Sequence, residues 1–396
     1  MHKFEPTVQA ARARLSDIRP EAYARTRNHL DGAVTRLSPY ITHGLLSLRD
    51  IYADLHGRFA IDAKHKLVFE LGWRDYYRHV WAHLGQAIHQ SLHSGLLPDS
   101  AYQSEVPPDV LQARTGIAAI DLAVRELYAS GYLHNHARMW LASYLVHLRK
   151  VHWHTAAQWM LGHLLDGDVA SNHLSWQWVA GTASTKPYLF NADNVAKYAP
   201  APWHSPATVI DTSYEALDRL ARSTASLGSD PLATPPGIAQ PSLLAAPSDA
   251  RWTAPDPHGL DGRDVCLLHP WSLGGACAPE RPDLVVIGLG MAELHAQTPW
   301  SERRWDFVTH GLLQRTPRIW WGNLASIAKA LQSARSVCWH SQAHINPQME
   351  HLRAQLQAHP KYPAFTRLEE PHLFEPVATY CESFSKWWRL TRIAND

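Results

Sequence analysis

Apolar positions recur at helical spacing through the first half of the chain. Over 64–84 they fall at Leu67, Val68, Leu71, Tyr76 and Val80, one stripe of a long helix. A helix over 48–58 follows Ser47, a favourable N-cap. The run over 115–130 is amphipathic, opened by Thr115 and closed by Gly131. Further helices are predicted over 134–150 and 155–165, and no strand pattern interrupts them. Between about 205 and 260 the periodicity disappears. Pro, Ala, Ser and Thr dominate there (Ala233-Thr234-Pro235-Pro236-Gly237, Ala246-Pro247-Ser248), predicting a connector extended over a surface or partly disordered. From Asp264 onward short apolar runs at 265–268, 284–287, 319–321 and 337–339 have strand character. Helical runs near 301–314, 324–332 and 347–357 interleave with them, which predicts a small parallel sheet. A last amphipathic run, about 377–392, is expected to dock through Phe384, Trp387 and Trp388. The expected architecture is mainly α: an all-helical domain over 1–204, a linker over 205–260 and a small α/β parallel-sheet domain over 261–396. No internal repeat is present.

Composition bounds the function. A chain of 396 residues is long enough for two cores. The net charge of +1 carries no polybasic signature, so a nucleic-acid surface requires local clustering of basic residues. Cys266, Cys277, Cys338 and Cys381 are scattered without close pairing, which argues for buried thiols rather than a disulfide framework, zinc site or iron–sulfur cluster. The N-terminus lacks an apolar signal segment and no run approaches membrane-spanning length, so a cytoplasmic protein without membrane partners is expected. Seventeen Trp is a high share that needs a reason.

The stretch from Gly131 to Trp178 concentrates unusual chemistry. Asn135, Arg138 and Met139 lie near one face of a helix. Asp166, Gly167 and Asp168 end the next helical run, and Asn172, Trp176 and Trp178 follow within one or two turns. An arginine, two aspartates, an amide and several indoles in an apolar helical frame suit a buried, charge-sensitive organic cofactor better than a plain core.

Three blocks, Thr35-Arg36-Leu37-Ser38-Pro39-Tyr40, the run from Glu70 through Trp73-Arg74-Asp75 to His79, and Gly131 to Trp178, resemble the FAD-binding domain of the DNA photolyase/cryptochrome family. They occur in the family's order and spacing and cover most of residues 4–190. The resemblance implies FAD as cofactor. It implies Thr35, Arg36, Leu37 and Ser38 beside the diphosphate, where loop N–H groups face anionic oxygens, and Tyr23 on the adenosine-phosphate side. Arg138 and Asp166 would pair beside the isoalloxazine, Gly167 and Asp168 would face its N3/O4 edge or the ribose, and Asn172 would stand opposite N5. An amide at that position leans toward repair rather than signalling. The family's dimer-repair members reduce a flipped pyrimidine dimer from excited reduced flavin. Glu70, Trp73, Asn135, Met139 and Trp178 match their lesion contacts, in the cyclobutane-dimer rather than the (6-4) pattern. Trp176 and Trp153 match the flavin-proximal and middle members of the family's reductive tryptophan chain, whose distal position aligns with Val110. The C-terminal α/β pattern resembles the family's antenna domain, relocated from the N-terminal side. Its loops carry no signature for a second, antenna chromophore. Beyond Phe190 the chain is shorter than the family's tail of the helical domain, which helps form the DNA face.

Read one at a time, several of these residues have ordinary explanations. Trp176 and Trp153 are common core fillers, Arg138–Asp166 is an unremarkable ion pair, and Glu70 is a solvated helix carboxylate. Only their coincidence argues for a site. His79 and His83 stand four apart, as do many pairs among 26 histidines, and neither they nor His134/His136 or His152/His154 has an evident third ligand, so no metal is expected. Gly288 and Gly290 faintly echo a dinucleotide loop but lack the third glycine, so a tight strand-end turn is favoured. No hydrolase or P-loop motif is present. The expected activity is blue-light-driven repair of cyclobutane pyrimidine dimers in DNA by a photolyase-like lyase. The alternative is a cryptochrome-like photoreceptor or flavin photoreductant without repair.

Overall fold

The computed structural model describes residues 4–228, 236–275, 283–360 and 362–394. Cys277 and the Ala233-Thr234-Pro235 part of the connector lie outside them.

Among the described residues twelve α-helices lead the chain: α1 (Val8–Ser16), α2 (Pro20–Thr26), α3 (Ser38–Thr42), α4 (Leu48–Phe59), α5 (Lys66–Leu84), α6 (Pro108–Leu111), α7 (Ala118–Ser130), α8 (Asn135–Ser143), α9 (Trp153–His163), α10 (Val169–Ala180), α11 (Ala192–Tyr198) and α12 (Tyr214–Ala221). The long helices form where the periodicity places them, and their caps explain the boundaries. Ser47 and Asp50 close a reciprocal capping box on α4. Gly131 ends α7 in the left-handed region.

Three boundaries differ from expectation. Thr115 does not cap α7, which starts at Ala118; its N–H and hydroxyl both donate to the Asp121 carboxylate at 2.8 Å, folding the preceding loop onto the helix. The helix expected over 134–150 loosens after Ser143 into a π-turn, Tyr144–Leu148. There the buried Lys150 ammonium donates to the carbonyls of His147, Leu220 and Ala221, satisfying the helix end. Asp168 belongs not to the end of α9 but to the start of α10, where its carboxylate accepts from Ser171 N–H.

The second half contains β1 (Leu243–Leu244), β2 (Trp252–Thr253), β3 (Asp264–Leu268), β4 (Leu284–Met291), α13 (Ala292–Gln297), β5 (Trp300–Ser301), α14 (Glu302–Leu313), β6 (Ile319–Gly322), α15 (Leu324–Leu331), β7 (Ser336–His340), α16 (Asn346–Gln357), β8 (Ala364–Leu368) and α17 (Phe384–Leu390). The main sheet is six-stranded and all parallel, in the order β2-β6-β4-β3-β7-β8. All four expected strands lie at its centre. The segment read as a connector is not featureless: α12, β1 and β2 lie in it, and β2 adds an edge strand beside β6. The C-terminal helix is only α17, capped by Ser383, although Phe384 and Trp387 are buried as expected. Cys381 is a buried thiol, but Cys266, expected to be one, is disulfide-bonded. No helix among the described residues is long and apolar enough to cross a membrane.

Two apolar cores organise the molecule. One lies under α7 to α10, around Val124, Leu141, Leu145 and Trp176. The other runs from the N-terminal helices (Leu15, Tyr40, Ile51, Leu55) directly into the sheet (Val265, Ile287, Ile319, Val337) and α17. The seam between helices and sheet is also polar and close. His43 bridges the carbonyls of Pro270 (2.5 Å) and Leu165 (2.8 Å), and Leu273 N–H donates to His43 O (2.9 Å). Gly274 N–H donates to Gly44 O at 3.1 Å, and a Cβ on Gly274 would lie 2.5 Å from that oxygen. Backbone approaches backbone here in a way only glycine permits.

Candidate flavin cavity

A cavity of about 400 Å³ opens between α5, α8, α9 and α10, within the range of about 300–1,000 Å³ common for small-molecule and cofactor sites. Ten of the residues singled out from sequence line it: Glu70, Trp73, Asn135, Arg138, Met139, Asp166, Asp168, Asn172, Trp176 and Trp178. They arrive from α5, α8 and α10, each of which turns residues inward, and from the turn between α9 and α10.

The floor is charged. Arg138 Nη2 donates to Asp166 Oδ2 at 2.7 Å, and Arg138 Nε to Leu133 O at 2.8 Å. Arg74 Nη2 reaches both Asp168 Oδ2 (3.2 Å) and Thr42 Oγ1 (2.9 Å). Burial alone would raise the Asp168 pKa, but Arg74, with Arg78 adding to it, holds the carboxyl well below the usual range. Asp168 is therefore a carboxylate despite being 2% exposed. Asn172 Nδ2 donates to Ala157 O at 3.0 Å, which leaves the amide oxygen as the acceptor offered to the cavity. Trp176 is buried in the wall.

The mouth is aromatic and less charged. Trp178, 39% exposed, stacks on Tyr188 with centroids 5.7 Å apart. Asn135 is exposed and donates to the Met139 sulfur at 3.4 Å. Trp73 lies nearly parallel to Phe384 of α17, centroids 4.1 Å apart. Glu70 pairs with Lys66 (3.3 Å) and Arg27 (3.5 Å) rather than standing as a lone carboxylate.

Other expected residues lie elsewhere. Tyr23, Thr35, Arg36, Leu37, Ser38, Gly167 and Trp153 do not line this cavity. Tyr23 is mostly buried, with Glu70 and Tyr132 as electrostatic neighbours. Arg36, at φ 51, acts on Tyr132, whose ring lies 5.6 Å from the Arg138 guanidinium. Gly167 faces Arg304, which donates from Nη2 to Gly167 O at 2.7 Å. Trp153 is buried with its indole N–H donating to Ser91 Oγ (3.0 Å), and no direct ring contact joins it to Trp176 among the described residues. Val110 is fully buried.

Sequence reasoning missed the contribution from the far half of the chain. Arg304 of α14, buried and pushed down to about 9 by desolvation, anchors the Asp166–Asp168 turn through Gly167 O and Leu161 O. His344, lowered to about 3 by burial and so neutral, accepts from Val169 N–H (3.3 Å) and lies 3.6 Å from Asp168 Oδ2. Arg74 stood unremarked inside a quoted motif. A histidine group that sequence reasoning did not single out also appears: ring nitrogens of His89, His154 and His173 lie within 4.8 Å of one another, and burial lowers all three pKa values, His173 to about 3.

The cavity fits a polar heteroaromatic ligand on its own terms. Asp166 Oδ1, Arg74 Nε and Ser171 Oγ are buried at its lining residues without a hydrogen-bond partner among the described residues, and a flat ring system with acceptors and an N–H edge would satisfy them. The architecture is that of a helical domain, with a cavity suited to such a ligand, joined to a parallel α/β sheet.

Comparison with known proteins identifies that domain. Residues 67–201 match the family model described as the FAD binding domain of DNA photolyase. A cryptochrome DASH from Gloeobacter violaceus is 33% identical over 173 residues, covering 41% of this chain and 34% of the relative. A deoxyribodipyrimidine photo-lyase from Thermus thermophilus is 35% identical over 194 residues, covering 47% and 45%. Among solved structures, a Synechocystis cryptochrome aligns with a TM-score of 0.44 at 30% identity, over 50% of this chain and 46% of that one. The chain spans between about a third and somewhat under half of the length of these curated relatives. Within residues 67–201 the helical part is thus similar to the FAD-binding domain of photolyases and cryptochromes, and the flavin such a domain binds is FAD.

Proposed function

We propose that the protein is a blue-light-driven lyase that reverses cyclobutane pyrimidine dimers in DNA, with the flavin ring in the cavity between α5, α8, α9 and α10. The observation that carries the reading is the cavity's division into a buried charged floor (Arg138–Asp166, Arg74–Asp168, Asn172) and an open aromatic mouth (Trp73, Asn135, Met139, Trp178). Reduced FAD, when bound and excited, supplies the electron that opens the dimer's cyclobutane ring. The chain's residues do the rest. Arg138, Asp166, Gly167 and Asp168 hold and electrostatically tune the ring, Asn172 presents an amide acceptor to it, and Tyr23, Thr35, Arg36, Leu37 and Ser38 serve the diphosphate and adenosine side. Trp176 and Trp153 are assigned to reductive electron supply. At the mouth, Trp178 and Met139 give flat apolar walls for a flipped dimer, and Asn135 and Glu70 give polar groups for base edges.

A photoreceptor or flavin photoreductant without repair is the second reading. Two observations favour it: Glu70 is engaged by Lys66 and Arg27, and one face of Trp73 is covered by Phe384. The deciding experiment reduces the flavin-loaded protein anaerobically and illuminates it with a thymine-dimer oligonucleotide, against a dark control. Restored thymines support repair. Photoreducible flavin without restored thymines moves the protein to the second reading, and protein that retains no flavin refutes both.

A further inference from the structure

Three histidines far apart in sequence converge beside the flavin cavity but outside it. His89 ends the 3-10 turn Gly85–His89 that follows α5, His154 sits in the first turn of α9, and His173 lies on α10 between Asn172 and Trp176. Each offers one ring nitrogen, and the three lie within 4.8 Å of one another. His173 is already oriented: its Nδ1 is 3.0 Å from Val169 O, so Nδ1 carries the proton and Nε2 the lone pair. Metal-bound imidazoles are commonly fixed by this kind of backbone contact. Neither nitrogen of His89 is engaged in a hydrogen bond among the described residues. Gln158 fills the space between the other two, its amide nitrogen 3.2 Å from His173 Nε2 and 3.5 Å from His154 Nε2.

We propose that His89, His154 and His173 form a binding site for a divalent transition-metal ion of the imidazole-preferring kind (zinc, nickel or copper). With three imidazoles and no carboxylate or thiolate in the group, the donor set excludes magnesium and calcium, which take oxygen ligands. An ion at the Gln158 amide position would need metal–nitrogen bonds of about 2.0–2.1 Å. The His173 and His154 rings must then close by roughly 1.1–1.5 Å against that bond length. Rotating the Gln158 amide would place its oxygen toward the ion as a fourth ligand, and water can serve instead. The bound ion would tie the Gly85–His89 turn, α9 and α10 together. It would also lie against Trp153, whose ring centroid is 5.4 Å from His154 and 6.1 Å from His173. Metal binding does not depend on the repair reading.

The test uses the flavin-loaded protein, freed of metal with a chelator and exchanged into chelator-free buffer. Zinc titration by calorimetry is expected to show one equivalent bound in the micromolar range or tighter. Copper(II) is expected to give an electron paramagnetic resonance spectrum with nitrogen superhyperfine splitting from several imidazoles. His154→Gln and His89→Gln should each abolish that stoichiometric binding while flavin absorbance persists. Weak, non-stoichiometric zinc binding to the parent protein overturns the proposal, as does an unchanged equivalent in both variants, which would place the ion on other histidines. Should His154→Gln lose flavin through misfolding, His89→Gln, on a partly exposed turn, decides alone.

Discussion

Asp168→Asn is the most informative single substitution. The carboxylate is 2% exposed and does two jobs: it caps α10 through Ser171 N–H (2.9 Å) and faces the Arg74 guanidinium (3.2 Å). Asparagine keeps the cap, since its oxygen accepts the same N–H. It removes the charge, leaving Arg74, whose side chain is 12% exposed, without its carboxylate. Removing one partner of a buried pair costs about 3–5 kcal/mol, and a neutral Arg74–Asn hydrogen bond recovers about 1 kcal/mol. The expected loss is therefore about 2–4 kcal/mol. Asp168→Ala should lose about 1 kcal/mol more, the worth of the cap. Urea unfolding of the flavin-loaded proteins, followed by helical circular dichroism, measures both. The pH dependence has a definite sign. Because the folded pKa is depressed below the unfolded value near 3.8, the charge stabilises the fold above that value. That contribution is lost as pH falls from there through the folded pKa, so the gap between parent and Asp168→Asn should narrow below about pH 4. An Asp168→Asn protein within about 0.5 kcal/mol of the parent at pH 7, or a gap that widens in acid, would refute this account of the floor.

Trp176→Phe should abolish most light-driven flavin reduction while leaving flavin absorbance intact, which steady illumination under donor will show; undiminished reduction would remove Trp176 from the electron path. Asn172→Asp replaces an N–H donor 3.0 Å from Ala157 O with oxygen, so the new carboxyl must hold a proton or turn away. The flavin redox state surviving illumination should shift and become pH-dependent, and unchanged spectra across pH would count against the assigned position. Arg304→Met strips Gly167 O and Leu161 O of a buried donor. At about 1–3 kcal/mol per unsatisfied group, the turn should loosen and flavin dissociate more readily in a fluorescence-release assay, with no change in release being the contrary result.

What was legible in the sequence shares one property: it sits within a short, regular element. The motifs on α5, α8 and α10 are local, so ten cavity residues could be named from two contiguous blocks and their resemblance to a known family. Strands β3, β4, β6 and β7 were legible for the same reason. The rest depends on partners far along the chain. Arg304 meets Gly167 across 137 residues and His344 meets Val169 across 175, and no spacing rule encodes either. His89 joins His154 and His173 only because the turn after α5 folds back beside α9 and α10. Strand β2 is two residues in a Pro- and Ala-rich stretch, and its pairing with β6 creates it. The error at Thr115 is a competition between two uses of one side chain: a hydroxyl that could cap a helix instead joins the Asp121 carboxylate.

The sheet explains why the far half of the chain reaches the flavin cavity at all. Its order places β3 at the point where winding reverses, with β4 and β6 on one side and β7 and β8 on the other. In open parallel sheets the loops leaving the strand ends at that point diverge and form the usual ligand crevice. Here the crevice between the loops after β3 and β7 is filled by protein. Pro270 and Leu273 hold His43, Gly274 closes on Gly44, and His344, stacked on Trp271 at 4.9 Å, touches Asp168 and Val169. The groups such a sheet would offer a small molecule instead position the turn that carries Asp166 and Asp168. A second cavity of about 340 Å³ lies to one side, between α5 and the loops after β7 and β8, where Asp75, Arg78, Gln342 and Glu370 line it. Displacement of the sheet from its seam would therefore reach the charged floor of the flavin cavity through Arg304 and His344, and its aromatic mouth through Phe384 against Trp73.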